Sequence, residues 1–237
     1  MPTLQTTLNT LTHKASEKTR ITYLRHGSPA DKTLGVSIAD LKLIASTIKR
    51  QQALALDLYA TGIFEAMYLA GLVADGSQMT PKLLHTWAQK APATMISEHT
   101  VPWVTVENPA ARDLANEWIH SKEESVASAG WCTWSGIVAL TPDAALDLKH
   151  LEALLAEIIR DVPAAQNRVR YTMNGFVIAL GTYVAPLLPK AKIAAYKIGP
   201  LSIDVGDTSC QVPLATDYLA KNESSHRIGK KRKTIRC

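Results

Sequence analysis

The sequence predicts an all-α protein built as an α-solenoid, in which antiparallel helix pairs stack on one another. Between residues 37 and 198, segments of roughly 12 to 20 residues carry apolar side chains at helical spacing, and short breaks rich in Pro, Gly, Asn or Asp separate them. A loose pattern of small and apolar residues recurs at intervals of about 25 to 45 residues, near the period of two-helix repeats. Strand-like alternation is scarce.

The first predicted helices follow an N-cap residue and a glycine break. Ser37 can cap a helix over residues 38–49, because its hydroxyl can accept a hydrogen bond from a backbone N–H of the first turn. Gly62 separates a helix over 53–59 from one over 63–74, since glycine commonly follows the end of a helix.

Proline marks the starts of later helices. Pro81 and Pro109 each stand where a first turn would begin, and the second of these helices ends near Ser121. Pro163 precedes a helix that contains residues 168–183. Breaks this short are typical of helices that pack antiparallel to their neighbours.

The C-terminal part departs from the helical pattern. Residues 199–210 hold apolar side chains at alternate positions between glycines, which predicts a minor extended strap or a short hairpin. A final helix is expected over 213–221. The predicted organisation is one helical domain over 1–221 and a basic tail over 222–237.

The positive charge is concentrated in that tail. The chain has a formal net charge of +5, and from Lys221 onward seven Lys and Arg residues oppose a single acidic residue. A basic surface on the rest of the chain must therefore come from the placement of side chains and not from bulk charge.

Composition also limits the class of protein. No run approaches the ~20 apolar residues of a membrane helix, and the N-terminus lacks the pattern of a signal peptide, so we expect no membrane association and a cytoplasmic location. Cys132, Cys210 and Cys237 are too widely spaced for a zinc finger or a disulfide framework. We therefore expect reduced thiols, no metal and no cofactor.

Three sets of residues carry a family pattern across nearly the whole chain. They are 35–42 with 64–70, 108–121 with 128–131, and 168–175 with 204–210 and 229–233. Together they resemble the AlkD-like family of DNA alkylation-repair proteins. The resemblance implies HEAT-like repeats, a concave basic face and double-stranded, alkylated DNA as the partner. We also expect a monomer.

In the active members of that family, the resemblance implies hydrolysis of the N-glycosidic bond of N3- or N7-alkylated purines. An alkylated purine carries positive charge and leaves readily, so the protein must stabilise an oxocarbenium-like sugar and position a water. A carboxylate suffices for this, and aromatic faces can attract the cationic base.

The resemblance gives two candidates for the catalytic carboxylate. Glu98 lies at the appropriate distance before Asn108 and Trp118. Glu107 fits the local chemistry better, because Trp103 stands four residues before it and would lie on the same helix face. Both alternatives stay open at this point.

Other family positions depart from the pattern. The arginine position aligns with Ser128, which supplies one weak donor and no charge. The last tryptophan aligns with Gly175 or, one residue over, with Phe176. The candidate substrate-binding aromatics are therefore Trp103, Trp131 and Phe176, around an altered active site.

Basic residues near the candidate site and in the tail could bind phosphates and release counterions. These candidate DNA-binding residues are Arg168, Arg170, Lys230, Lys231, Arg232 and Lys233.

Two functional hypotheses follow. The first is a DNA-binding protein of alkylation repair, either a glycosylase with an altered site or a homologue that has lost the chemistry. The alternative is a catalytically inactive helical-repeat scaffold that binds a protein partner or a DNA structure.

Overall fold

The chain is all-helical. The fold is taken from a computed structural model, which describes residues 2–49 and 51–236. Within those ranges it contains thirteen α-helices and no strand, so the predicted all-α class is confirmed. The described residues form two compact units. The first holds the residues up to Leu114 with Gly206–Ser209 and Arg236, and the second holds Ala115–Val205 and Cys210–Ile235. The single domain expected over 1–221 stays a prediction.

The first unit consists of short helices. They are α1 (Leu4–Lys14), α2 (Glu17–Arg25), α3 (Ile38–Thr47), α4 (Gln52–Ala60), α5 (Phe64–Val73), α6 (Pro81–Gln89) and α7 (Val101–Thr105), with a 3-10 turn at Gly76–Gln78 and a π-helical turn at Ile96–Thr100. The boundary between the units falls within α8 (Ala111–Trp118), after Leu114.

The local signals for helix ends act as the sequence predicts. Ser37 Oγ accepts a hydrogen bond from the N–H of Asp40 at 3.1 Å, and α3 begins at the next residue. Thr80 caps α6 in the same way, with Pro81 in its first turn. Gly62, between α4 and α5, has a φ of +69°, a conformation that glycine adopts without strain.

Helices α1 and α2 precede the region in which helices were predicted. Thr3 and Thr6 form a capping box at the start of α1, each side chain accepting from the backbone N–H of the other. The polar composition of α1 and α2 hides the helical period of apolar side chains. Only Thr7, Leu11 and Tyr23 are buried in the two helices.

Helix α5 is the core of the first unit. Nine of its ten residues are buried, Leu72 being the exception. It packs against α3, α4 and the π-helical turn. A Cβ at Gly71 would lie 2.5 Å from Thr100 Cγ2 on that turn, so the absence of a side chain permits the close approach of α5 to it.

Glu65 on α5 is completely buried and holds a neighbouring loop. Its carboxylate accepts hydrogen bonds from the backbone N–H groups of Leu34, Gly35 and Val36, at 3.0, 2.5 and 3.2 Å. Gly35 has a φ of +98°, and a side chain there would overlap the carbonyl oxygen of Ser16. The carboxylate thus replaces the main-chain acceptors that this buried loop lacks.

The second unit contains longer helices. They are α9 (Glu124–Leu140), α10 (Leu148–Asp161), α11 (Asn167–Tyr183), α12 (Leu188–Ile198) and α13 (Ala215–Ser224), with 3-10 turns at Asp143–Ala145 and Ala185–Leu187. Helix α11 is central, since it packs against α9, α12 and α13. Residues 199–210 form an irregular strap with neither helix nor strand, so the expected strap is present and a hairpin is not.

No single helix among the described residues has both the length and the apolar composition to cross a membrane. One bent pair of segments is long and apolar enough when the two are taken together, by length and composition only. The pair is Asn167–Tyr183 and Ala185–Ile198, with a bend of 117° at their junction.

Buried tyrosines make the first unit sensitive to alkaline pH. Tyr23 donates a hydrogen bond from its hydroxyl to the carbonyl of Val36 at 2.8 Å. Burial, followed by the charge of Glu65, raises its pKa from 10.0 to about 12. Burial also raises the pKa of Tyr59.

We therefore expect the free energy of unfolding to fall as pH rises from 10 to 12, because the unfolded state loses the Tyr23 proton first. The loss from Tyr23 is about 2–3 kcal/mol, and denaturant titrations at several alkaline pH values measure it. Tyr23→Phe should flatten this pH dependence. Tyr218→Phe, at an exposed tyrosine, should leave it unchanged, and an equal flattening in both variants would contradict the assignment.

Candidate nucleic-acid interface

Glu98 lies on the π-helical turn Ile96–Thr100. The N–H of Val101 donates to the carbonyl five residues earlier, and Pro102 has no N–H to donate to the carbonyl of Glu98, as a regular helix would require. Proline therefore favours the wider turn. Glu98 is 7% exposed, whereas the next residue, His99, is exposed.

Trp103 belongs to the core of the first unit. Its ring is 3% exposed and packs edge-on against Tyr68, with the ring centroids 5.1 Å apart. The ring of His99 also lies near it, at a centroid distance of 6.1 Å. The indole therefore offers little surface for the substrate contact expected from the sequence.

Glu107 is held by contacts within the first unit. Its Oε2 accepts a hydrogen bond from the N–H of Gly76 at 3.1 Å and pairs with the guanidinium of Arg236 at 2.5 Å. Arg236 also donates to the carbonyls of Leu72 and Ala74, at the end of α5. The two Arg236 bonds satisfy carbonyl groups that the end of α5 leaves unpaired, and Glu107 holds the guanidinium in that position.

The family positions in the second unit are buried. Ser128 is 1% exposed, and Trp131 and Phe176 are fully buried, with their ring centroids 5.4 Å apart. Both rings lie between α9 and α11, so the expected contact with substrate stays a prediction that requires them to leave the core. The sequence could not separate these roles, because core and binding aromatics share the same helical spacing.

Arg168 and Arg170 lie at the start of α11 and are half-buried. The guanidinium of Arg168 stacks over the ring of Tyr171, 4.2 Å from its centroid, which restricts its orientation. The backbone N–H of Arg168 donates to Glu124 Oε1 at 2.7 Å, so an acidic side chain occupies the first turn of α11.

The strap is fixed to the same helix start. Asn167 Nδ2 donates to the carbonyl of Asp204, and the N–H of Asp204 donates to Asn167 Oδ1, both at 2.8 Å. Farther along α11, Asn174 Nδ2 donates to the carbonyl of Pro213 at 2.8 Å. The two asparagines thus connect α11 to the segment between α12 and α13.

Residues 229–232 close the ends of two helices in the second unit. The N–H of Gly229 donates to the carbonyl of Thr182 in α11, and the N–H of Arg232 donates to the carbonyl of Ala139 in α9, both at 2.8 Å. Lys231 Nζ donates to the carbonyl of Val138 at the same distance. This part of the basic tail is therefore a helix cap, for which positive charge suits the negative end of the helix dipole.

The four basic tail residues differ in their surroundings. Lys231 is largely buried and also pairs with Asp143 at 2.8 Å. The side chains of Lys230, Arg232 and Lys233 are exposed, so they are the ones in a position to meet a polyanion.

The difference in surroundings between Lys231 and Lys233 allows a test of whether the tail stabilises the fold as a helix cap. Lys231→Ala should lower the free energy of unfolding by about 1–2 kcal/mol, because it removes a charged donor from a helix end and leaves Asp143 unpaired. Lys233→Ala removes the same charge from an exposed position and should change stability by less than about 0.5 kcal/mol. Denaturant unfolding compares the two, and equal losses would show that the cap contributes nothing.

An exposed surface on α12 was not identified from the sequence. Tyr196 is 82% exposed and Ile193 is 56% exposed, and they lie one helical turn apart. The sequence places an aromatic residue at helical spacing from lysines on this helix. Spacing alone, however, does not show which side chains are exposed.

Metal ligands are not gathered anywhere in residues 2–49 and 51–236, where no three His, Cys, Asp or Glu side chains form a group that could hold an ion. Cys132 is half-buried and Cys210 is exposed, and Cys237 lies outside the described residues.

Sequence comparison gives one family and two relatives. A family model described as "DNA alkylation repair enzyme" matches residues 7–191. An uncharacterised protein from Listeria innocua is 31% identical over 204 residues, which cover 84% of this chain and 88% of the relative. An uncharacterised protein from Listeria monocytogenes is 29% identical over 204 residues, with the same coverage.

Comparison of folds gives a solved structure that matches over the full length of both chains. Its TM-score is 0.92, its sequence identity is 29%, and it covers 100% of each chain. It is described as a new family of proteins related to the HEAT-like repeat DNA glycosylases with affinity for branched DNA structures. The HEAT-like fold expected from the sequence is thereby confirmed.

Proposed function

This chain belongs to the family of DNA alkylation repair enzymes, and from that premise we propose that it is a DNA-binding protein whose preferred ligand is branched DNA. One observation carries the proposal, namely its full-length likeness, at 29% identity, to a structure described as having affinity for branched DNA. A likeness that covers both chains entirely leaves no separate module to which the DNA affinity of that protein could belong.

The positions of the candidate active-site residues support binding over base excision. Glu98 is 7% exposed, Glu107 pairs with Arg236, and Trp131 and Phe176 are core side chains. A glycosylase must bring a carboxylate and aromatic faces to the sugar and the base, and these groups would have to leave their present positions to do so.

Electrophoretic mobility or fluorescence anisotropy measurements with two DNA ligands test the proposal. We expect a four-way junction to bind about tenfold more tightly than a linear duplex of equal length, a difference of about 1.4 kcal/mol. Affinity for both should fall as salt rises. Equal affinity for the two ligands would remove the preference for branches. No binding at low salt would favour the protein-binding scaffold instead.

The exposed tail lysines should contribute to the electrostatic part of this binding. We propose that Lys230 and Lys233 contact phosphates, and a variant with both changed to alanine should reduce the slope of log affinity against log salt by about 2. Lys231→Ala should leave the slope unchanged, because that ammonium group caps α9. An unchanged slope in the double variant would exclude phosphate contacts by Lys230 and Lys233.

A second candidate function is excision of alkylated purines by Glu98. The observation that favours it is the π-helical turn on which Glu98 lies, because such turns occur often at functional sites. Release of 7-methylguanine from duplex DNA would then fall about 100-fold or more in Glu98→Gln. Glu107→Gln is the matched control and should retain activity. If the unaltered protein releases 7-methylguanine no faster than the background rate, this second function is excluded.

A further inference from the structure

Helix α12 presents an apolar, aromatic face outward from the second unit. Its inner face is formed by Ala191, Ala194 and Ala195, all essentially buried. Tyr196 and Ile193 project on the other side, with 82% and 56% of their surfaces exposed. We call Ile193 and Tyr196, together with the lysines of the same helix, the α12 face. The two side chains form a small apolar patch, and apolar surface rimmed by polar residues is the kind that binding sites use.

Lysines surround this pair, and α12 contains no acidic residue. Lys190 pairs with Glu152 of α10, and Lys192 pairs with Glu223 of α13 at 2.6 Å. Lys197 has no ion pair within the described ranges and is exposed. Exposed ion pairs of this kind contribute little stability, so their lysines can exchange a carboxylate for a phosphate at small cost.

We propose that the α12 face stacks on the base-pair surface that opens at a DNA branch point, an inference that rests on the proposed function. In a continuous duplex each base pair is covered above and below, and an aromatic ring has no base surface to contact. At a branch whose arms are not stacked on one another, the last pair of an arm is uncovered. Tyr196 would stack on it, Ile193 would cover its edge, and the lysines would meet the phosphates on either side.

The charge of the face favours DNA over other occupants. A second copy of this chain, related by twofold symmetry, would place lysines against lysines. A protein partner would need an acidic surface with an aromatic pocket at its centre. DNA supplies both a flat aromatic surface and anionic groups around it, and each component of the α12 face has a counterpart in that ligand.

Binding of the full chain to two end-closed ligands tests this inference. One is a four-way junction and the other a linear duplex, with every helix end sealed by a hairpin loop so that only the branch exposes base pairs. Tyr196→Ala should weaken junction binding about tenfold, as expected for the loss of one base–aromatic stack, and change duplex binding by less than about twofold. Tyr196→Phe keeps the ring and should bind as the unaltered protein does.

Tyr218→Ala is the matched control, since Tyr218 is a 48% exposed tyrosine on the neighbouring helix α13 and should not alter either affinity. Fluorescence of 2-aminopurine placed beside the branch gives a local readout, which should change on binding and fail to change with Tyr196→Ala. Alanine is favourable at an exposed helix position, so circular dichroism should show an intact fold.

The outcomes separate the two proposals. If the unaltered protein prefers the junction and Tyr196→Ala retains that preference, the stacking inference is overturned and the proposed function stands. If Tyr196→Ala weakens both ligands equally, the ring has no role specific to branches and the inference is likewise overturned. If the unaltered protein shows no preference for the junction, the proposed function fails and the inference fails with it.

Discussion

Replacing Glu65 by alanine should lower the free energy of unfolding by about 4 kcal/mol, because a buried N–H group that loses its acceptor costs about 1–3 kcal/mol. The buried N–H groups of Gly35 and Val36 and the half-buried one of Leu34 all depend on this one carboxylate. Glu65 is 0% exposed, so water cannot take its place without opening the loop. Some relaxation of the loop keeps the expected loss below the sum of the three costs.

The experiment compares three variants by denaturant unfolding. Glu65→Gln retains one acceptor oxygen and should lose about half as much stability as Glu65→Ala, or about 2 kcal/mol. Asp57→Ala is the control, an exposed acid on the adjacent helix α4, and should change stability by less than about 0.5 kcal/mol. A loss of less than about 1 kcal/mol in Glu65→Ala would show that the loop does not depend on the carboxylate.

Replacing Gly76 by alanine should lower the free energy of unfolding by about 3 kcal/mol, a cost typical of overpacking against a backbone that cannot move freely. An added Cβ would overlap the carbonyl oxygen of Val104 and lie 2.7 Å from its carbonyl carbon. The segment is held on both sides, since Gly76 donates its N–H to Glu107 and accepts from Asn108 Nδ2 at 2.8 Å. The turn and α7 would have to separate, and both hydrogen bonds would lengthen.

Gly175 provides the matched control, for which the expected change in the free energy of unfolding has the opposite sign. It lies within α11, and a Cβ there would meet no other atom within 4 Å. Gly175→Ala should therefore raise the free energy of unfolding by about 0.5–1 kcal/mol, through the better helix propensity of alanine. Thermal or denaturant unfolding measures both variants. Similar changes in the two would mean that backbone proximity at Gly76 is not limiting.

Much of the helical pattern was predictable because its signals are local. The helix predicted over 38–49 runs from Ile38 to Thr47, and the one predicted to contain 168–183 begins at Asn167 and ends at Tyr183. Caps, prolines and apolar period act within a few residues of chain. Helix α2 was not predicted, because its polar composition gives almost no periodic signal.

The candidate site was less predictable, because a residue type does not specify its exposure. Trp131 and Phe176 have the chemistry of a base-binding wall and are fully buried. Tyr196 was not identified as a candidate from the sequence. Among the described residues it is the most exposed of the large hydrophobic side chains. Glu107 has the chemistry of a catalyst, and its carboxylate pairs with Arg236, a residue 129 positions away in the chain.

The sequence by itself determined the all-helical class, several helix boundaries and the membership in a DNA repair family, since these depend on short-range pattern and on motifs spread along the chain. Only the tertiary structure decided which carboxylates anchor backbone, which aromatics fill the core and which lysines cap helices. The physical reason is that burial and hydrogen bonding join residues far apart in the chain, as when Lys231 caps the end of α9 and Glu65 holds the loop at Gly35.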